Sequence, residues 1–311
     1  MRAALAAVWR AVASPIEVRG RRFPPIGLVV LTAIGATLVA AVANLAWPRP
    51  ADEHAYWLAG QRMALGQPLY DPAATLVTPF TYFYPPPLAQ VLAPVSQLIP
   101  SQIFSIGWIV LLVACLLWLA GGRPLVAFAF IAFLPVAVEL EYRNVHLLIA
   151  VLIVAALRRA PWLFAVGAAI KVGPGLGIVY LAARGRWRDA LVATSVGAAI
   201  LVVSLTLSTG AWWSFVHDVV GMAPSASAGL IPVAYPVRAA AGVMLAIVAG
   251  RLSEAIGEPL LVVAIVLANP TLYTTSLSML IAIVPIVERR LAVARTTGLG
   301  AQSVTATVAA R

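Results

Sequence analysis

The chain has 311 residues, of which 62% are apolar and 10% charged, with a formal net charge of +10. Soluble domains average roughly 45–50% apolar and about 25% charged residues, so a single water-soluble core is excluded and the bilayer must be the solvent for much of the chain. The basic excess is almost all arginine, Lys171 being the only lysine, and it sits in short clusters between apolar runs; that is the pattern of cytoplasmic membrane loops and excludes a nucleic-acid-binding face.

Residues Met1–Arg22 carry Arg2, Arg10, Arg19, Arg21 and Arg22, and the run Ile26–Trp47 that follows is long enough to span a membrane. A polar, proline-rich loop covers about residues 48–100. Within it His54–Leu65 reads as a short amphipathic helix, stopped by Gly66 and Pro68. Further apolar runs are Ile103–Ala120, which contains the single cysteine Cys115, then Leu125–Val138, Val145–Leu157, Trp162–Ala183 and Ala190–Leu207. A second polar loop, about residues 208–236, carries His217 and Asp218; Ala239–Gly250, Leu260–Ala268 and Leu272–Val287 complete the apolar set. Residues 1–295 are expected to form one membrane-embedded domain and 296–311 a disordered cytoplasmic tail.

Arginine placement sets the expected orientation. With the N-terminus cytoplasmic, Arg123 and Arg158-Arg159 fall inside, while Asp52, Glu139, Glu141 and Arg143 fall outside. Trp162–Ala183 breaks the alternation, because arginines flank both of its ends. Gly173-Pro174 interrupts it, which predicts a hairpin of two half-helices with Lys171 near the tip. Leu260–Val287 has the same problem and is interrupted at Asn269-Pro270. The expectation is an all-α polytopic bundle of about 9–10 membrane segments, with two broken or re-entrant hairpins and short outer amphipathic helices. It lies in the cell membrane with both termini cytoplasmic.

Four constellations are candidates for chemistry. Asp52-Glu53-His54 follows the first span; Asp52 reads either as a helix N-cap or as a general base facing water. The aromatic stretch Tyr82-Phe83-Tyr84-Pro85-Pro86 reads as a ligand wall or an interfacial belt. Glu139-Leu140-Glu141-Tyr142-Arg143-Asn144-Val145-His146 places charges at the end of two spans, where Arg143 is a candidate phosphate ligand or half of an internal Glu–Arg pair. Lys171 beside Gly173-Pro174 must snorkel, pair or bind an anion. No Ser–His–Asp order, phosphate loop or metal cluster is legible, so no metal and no cofactor are expected.

The ordered motifs resemble glycosyltransferase family 87, polytopic GT-C enzymes related to polyprenyl-phosphate-mannose-dependent mannosyltransferases. The residues that carry the resemblance are Asp52 with Tyr56, Gly66-Gln67-Pro68-Leu69-Tyr70, Tyr82-Phe83-Tyr84-Pro85-Pro86 with Pro94, Asn144, Lys171-Val172-Gly173-Pro174, Trp187 and Asn269-Pro270. Many members carry a histidine after the late proline break, where this chain has Thr271, Tyr273, Thr274 and Thr275. The resemblance implies a GT-C bundle that transfers a sugar, mannose foremost, from a polyprenyl-phosphate donor to a hydroxyl of a lipid or glycan acceptor. Transfer proceeds with inversion on the non-cytoplasmic face, among membrane lipids and without nucleic acid. Asp52 would then be the base. Tyr56, Tyr84, Arg143, Asn144, His146 and Lys171 would bind the donor, and Glu53, His54 and His217 the acceptor. The alternatives are a transporter or lipid-linked-sugar flippase, or a catalytically inactive member.

Overall fold

The computed structural model describes residues 52–74, 78, 80–220, 230, 233–270 and 272–291, and the backbone of two short strands nearer the N-terminus. The expected span Ile26–Trp47, most of the N-terminal arginine cluster, the loop beyond Val220 up to Gly229 and the tail 296–311 lie outside the described residues. The strands, β1 (Ile16–Val18) and β2 (Arg21–Phe23), pair antiparallel with Ile16 opposite Phe23. This small ribbon was not expected from the sequence, where arginines mask any alternating pattern.

Among the described residues, everything else that is regular is helical. Helix α1 (Asp52–Ala64) opens on Asp52 and Glu53 and closes near Arg62, so its end charges oppose the helix dipole. Its buried face (Ala55, Tyr56, Ala59 and Gly60) lies against α2 (Pro86–Leu98). The approach is so close that a β-carbon on Gly60 would sit 2.6 Å from the Leu92 carbonyl oxygen. Prolines in the first turn of α2 cost no hydrogen bond there.

Among the described residues, α3 (Ser101–Leu119) and α9 (Trp187–Leu207) are each long and apolar enough to cross a membrane alone, with mean hydropathies of 2.3 and 2.2. Between them come α4 (Pro124–Ala132), α5 (Leu134–Tyr142), α6 (His146–Arg158), α7 (Leu163–Ile170), a 3₁₀ turn (Gly173–Gly175) and α8 (Leu176–Ala183). The run read as Leu125–Val138 is two helices bent by 87° at Phe133, just before Pro135. The pair counts as a third span if it is taken as one. After α9 follow α10 (Thr209–Ser214), a π-helical turn (Phe215–Val220), α11 (Tyr235–Arg251), α12 (Glu254–Leu267), a 3₁₀ helix (Thr274–Ala282) and α13 (residues 283–291). Helix α9 leaves Leu191, Val192, Leu201, Val202, Val203 and Leu207 exposed, an apolar face that suits lipid rather than water.

Both hairpins form. In the first, α7 and α8 fold back on each other across glycine: a β-carbon on Gly177 would meet the Phe164 ring at 2.1 Å, and one on Gly167 would meet Pro174 at 2.8 Å. The chain turns at Lys171, whose extended backbone (φ −151°, ψ 128°) ends α7. In the second, the ends of α12 and α13 are held together by Arg290, which donates to Glu258 at 2.5 Å and pairs with Glu254. Arg238, from the start of α11, braces its turn. The buried guanidinium donates to the carbonyls of Leu267 (3.3 Å), Asn269 (2.6 Å) and Pro270 (2.8 Å), as well as to Val233 (3.0 Å). The Leu267 carbonyl is one that the end of α12 leaves without a helical partner, and the others belong to the flanking turns.

The two ends of the bundle are chemically distinct. One carries arginine pairs: Arg123 with Glu288 at 2.5 Å, Arg184 with Glu254 at 3.3 Å, and Arg290 with Glu258. The other gathers the start of α1, the α5–α6 turn, the tip of the first hairpin and the turn of the second.

Candidate active site

The α5–α6 turn shapes this second end. Arg143 ends α5 in the left-handed region (φ 55°, ψ 44°), a conformation that costs a residue with a side chain about 1–2 kcal/mol. Contacts on three sides hold it there. Trp108 Nε1 donates to its carbonyl at 2.8 Å, and its guanidinium bonds Ser105 Oγ at 2.8 Å and pairs with the Glu53 carboxylate. Ser105 also donates to Glu53 at 2.5 Å. The turn therefore ties α1, α3 and α5 together and points Asn144 at the start of α1.

Asn144 is the hub. Its Nδ2 donates to the Asp52 carboxylate, and its Oδ1 accepts from Tyr84 at 2.9 Å and from the Val145 backbone N–H at 2.7 Å. Tyr56 donates to the Tyr84 hydroxyl at 3.0 Å. Tyr70 donates to the Tyr84 carbonyl at 2.7 Å, and Tyr82 to the Pro85 carbonyl at 2.9 Å. These phenols sit in one aromatic block of tilted and edge-on rings, with Tyr56 and Tyr84 edge to face at 5.2 Å. Asp52 stays partly accessible. Burial pushes its carboxyl up to about 6, against the opposing pull of the Asn144 hydrogen bond and the Lys171 charge. Burial likewise pushes the Tyr84 phenol up, with the Asp52 charge adding to it.

Behind this block runs a second polar line. Glu139 accepts from the His146 backbone N–H at 2.6 Å and lies 2.9 Å from His146 Nδ1. His146 Nε2 is 2.7 Å from Lys171 Nζ and 3.3 Å from Ser276 Oγ. Lys171 Nζ also stands 5.5 Å from the centre of the Tyr84 ring, within cation–π range. Glu139, His146 and Lys171 are all buried, so each needs its partner.

The structure thus brings together Asp52, Tyr56, Tyr84, Asn144, His146 and Lys171. Arg143 stands beside them, with its charge taken up by Glu53. Glu53, expected to meet an acceptor, is buried in that pair and braces the turn. His54 packs on Phe80 at 4.9 Å and stacks with Trp57 at 6.0 Å. His217 lies in the π-helical turn with its side chain 77% exposed and bonds Asp218 at 3.1 Å, apart from the network. Sequence reasoning missed the roles of Glu139, Ser105, Trp108, Arg238 and Ser276. Of these only Glu139 carried a signal, as a carboxylate seven residues before a helix that begins with histidine. Among the described residues there is no group of three or more His, Cys, Asp or Glu side chains that could hold a metal.

An apolar helical bundle with a buried polar cluster at one end defines a membrane protein. The chain belongs to glycosyltransferase family 87, whose model matches residues 82–310, and it is a membrane glycosyltransferase. The matched stretch contains Tyr84, Asn144, His146 and Lys171, and begins after Asp52 and Tyr56. No curated protein and no solved structure matches the chain.

Proposed function

We propose that the protein transfers a sugar, mannose foremost, from a polyprenyl-phosphate donor to a hydroxyl of a lipid or glycan acceptor, with inversion at the sugar carbon. Asp52 accepts the proton of the attacking hydroxyl, which approaches from the face opposite the phosphate. Lys171 offsets the charge that builds on the leaving polyprenyl phosphate. Asn144 and Tyr84 keep the base oriented, and the cluster faces the non-cytoplasmic side, as the arginine distribution predicts. The observation that carries this reading is the convergence of a partly accessible carboxylate and a buried ammonium from distant segments, Asp52 and Lys171, onto the same Tyr84–Asn144 pair.

Purified protein in lipid nanodiscs, given radiolabelled polyprenyl-phosphate mannose and a membrane-lipid extract as acceptor, tests it. Expected is label transfer that Asp52→Asn lowers by roughly 10²–10⁴-fold, the range of a general base. Undiminished transfer by folded Asp52→Asn protein overturns the assignment of the base. No transfer from a panel of polyprenyl-phosphate sugars overturns the donor class.

A further inference from the structure

We infer that Glu139 is a positioning residue for Lys171, acting through His146 by fixing which imidazole nitrogen carries the proton. The inference rests on the proposed donor class and adds a residue that the reading did not include.

Glu139 Oε1 receives the backbone N–H groups of His146 (2.6 Å) and Leu147 (3.4 Å), so this carboxylate caps the start of α6 from the neighbouring helix. Its other oxygen, Oε2, faces His146 Nδ1 at 2.9 Å. With Glu139 ionised, its carboxylate only accepts, and Nδ1 carries the proton. In a neutral ring that leaves a lone pair on Nε2. Lys171 Nζ, 2.7 Å away, is a pure donor when charged and fills that lone pair. Glu139 therefore determines that His146 presents an acceptor to Lys171.

Two further features support a device rather than incidental packing. Lys171 lies at the break of the first hairpin, where its extended backbone interrupts helical pairing and frees the side chain from any helix face. With one N–H on His146 and the ammonium over Tyr84, Lys171 also bears by its charge on the Asp52 carboxylate. A buried lysine without a fixed acceptor would have several rotamers available to it. The Glu139–His146 pair selects one, as outer partners of metal-binding histidines select a tautomer.

The decisive variant is Glu139→Gln. An amide has one acceptor and one donor end. If its oxygen keeps the His146 backbone N–H, its NH₂ faces Nδ1 and moves the ring proton to Nε2, against Lys171. The helix cap survives while the relay is reversed. The experiment uses the full chain in detergent micelles with ¹⁵N-labelled histidine. The three ring signals from His54, His146 and His217 are assigned with a His146→Gln variant. Wild-type protein is expected to show His146 protonated at Nδ1, and Glu139→Gln to show it protonated at Nε2. Binding of polyprenyl phosphate, measured by calorimetry on the same samples, is expected to weaken by roughly 10–100-fold, the range for outer partners of a functional histidine. His146→Gln, which keeps a side-chain acceptor for Lys171, is expected to lose less affinity than Glu139→Gln.

A wild-type His146 protonated at Nε2, or polyprenyl phosphate bound equally by wild type and Glu139→Gln, overturns the inference. Wild-type protein that binds polyprenyl phosphate but transfers no sugar leaves the positioning role standing and overturns the transferase reading. Failure of wild type to bind polyprenyl phosphate overturns both.

Discussion

The Asp52 carboxylate is held by Asn144 Nδ2 from 92 positions further along the chain. This one amide joins the start of α1 to the α5–α6 turn, and the same side chain takes the Tyr84 hydroxyl on its other atom. Removing it leaves the buried Tyr84 hydroxyl short of a partner and Asp52 free to rotate. Asn144→Ala is expected to lower transfer by roughly 10–100-fold, because a hydrogen bond to a charged group contributes about 1.5–3 kcal/mol. Steady-state assays in nanodiscs check this, and an effect below twofold counts against the bridge.

The acidity of Asp52 gives a pH dependence with a definite sign. Its carboxyl is pushed up to about 6, and a base works only when ionised. The kcat/KM for transfer is therefore expected to be level above that pH and to fall about tenfold per unit below it. The Asn144 hydrogen bond and the Lys171 charge both lower this value, so Asn144→Ala and Lys171→Gln should each move the midpoint upward. A flat profile between pH 5 and 8, a range of about three units around the expected midpoint, removes Asp52 as the titrating base.

Lys171 separates donor binding from acceptor binding. Lys171→Gln keeps length and polarity but loses the ammonium. The donor KM is expected to rise roughly 10–100-fold, the loss of one charge-assisted hydrogen bond, with the acceptor KM changed little. Equal changes in both would mean that the substitution disturbs the whole cluster.

The glycines of the first hairpin are spacers. Gly177→Ala places a methyl against the buried Phe164 ring, and overpacking of this kind costs about 1–3 kcal/mol. Thermal unfolding in detergent should show a lower midpoint. Gly107→Ala, in α3 with nothing within 4 Å of its β-carbon, should instead raise the midpoint slightly, by the helix propensity gain of about 0.5–1 kcal/mol.

Arg238 should matter for stability rather than for charge. Its side chain satisfies the carbonyls of Val233, Leu267, Asn269 and Pro270. Arg238→Met leaves those oxygens short of donors at a cost of about 1–3 kcal/mol each where they stay buried. The expected readout is faster proteolysis at the turn of the second hairpin, while proteolysis of the first is unchanged.

The sequence carried the parts of this arrangement that depend on composition. Arginines at both ends of Trp162–Ala183 and of Leu260–Val287 predicted that each run returns to its starting side, and in the structure each folds back as a hairpin. Gly173-Pro174 and Asn269-Pro270 located the breaks because proline cannot continue a helix across that point. The 87° bend at Phe133 was not legible: the run is uniformly apolar, and Pro135 also fits the first turn of an uninterrupted pattern. In the site, Lys171 was legible as a charge placed where burial is expensive, whereas Asp52, which by itself reads equally as a helix cap, and Asn144 stood out through the family resemblance. The fate of Glu53 was not, since a carboxylate next to Asp52 gives no hint that Arg143 and Ser105 will claim it. Arg238 was invisible for a similar reason: its partners are backbone carbonyls, which every residue possesses.

Where the two hairpins meet, the spacing is fixed by an atom that is not there. Gly173 lies against the Ile265 carbonyl, which a β-carbon would approach to 3.0 Å, and against Asn269 Oδ1 at 3.5 Å. The fit of the first hairpin's tip against the end of α12 is thus gauged by a bare α-carbon. A single methyl at residue 173 would act as a shim, parting the two by a few tenths of an ångström. The seating of the tip that carries Lys171 is therefore adjustable by backbone volume alone, without exchanging any polar side chain.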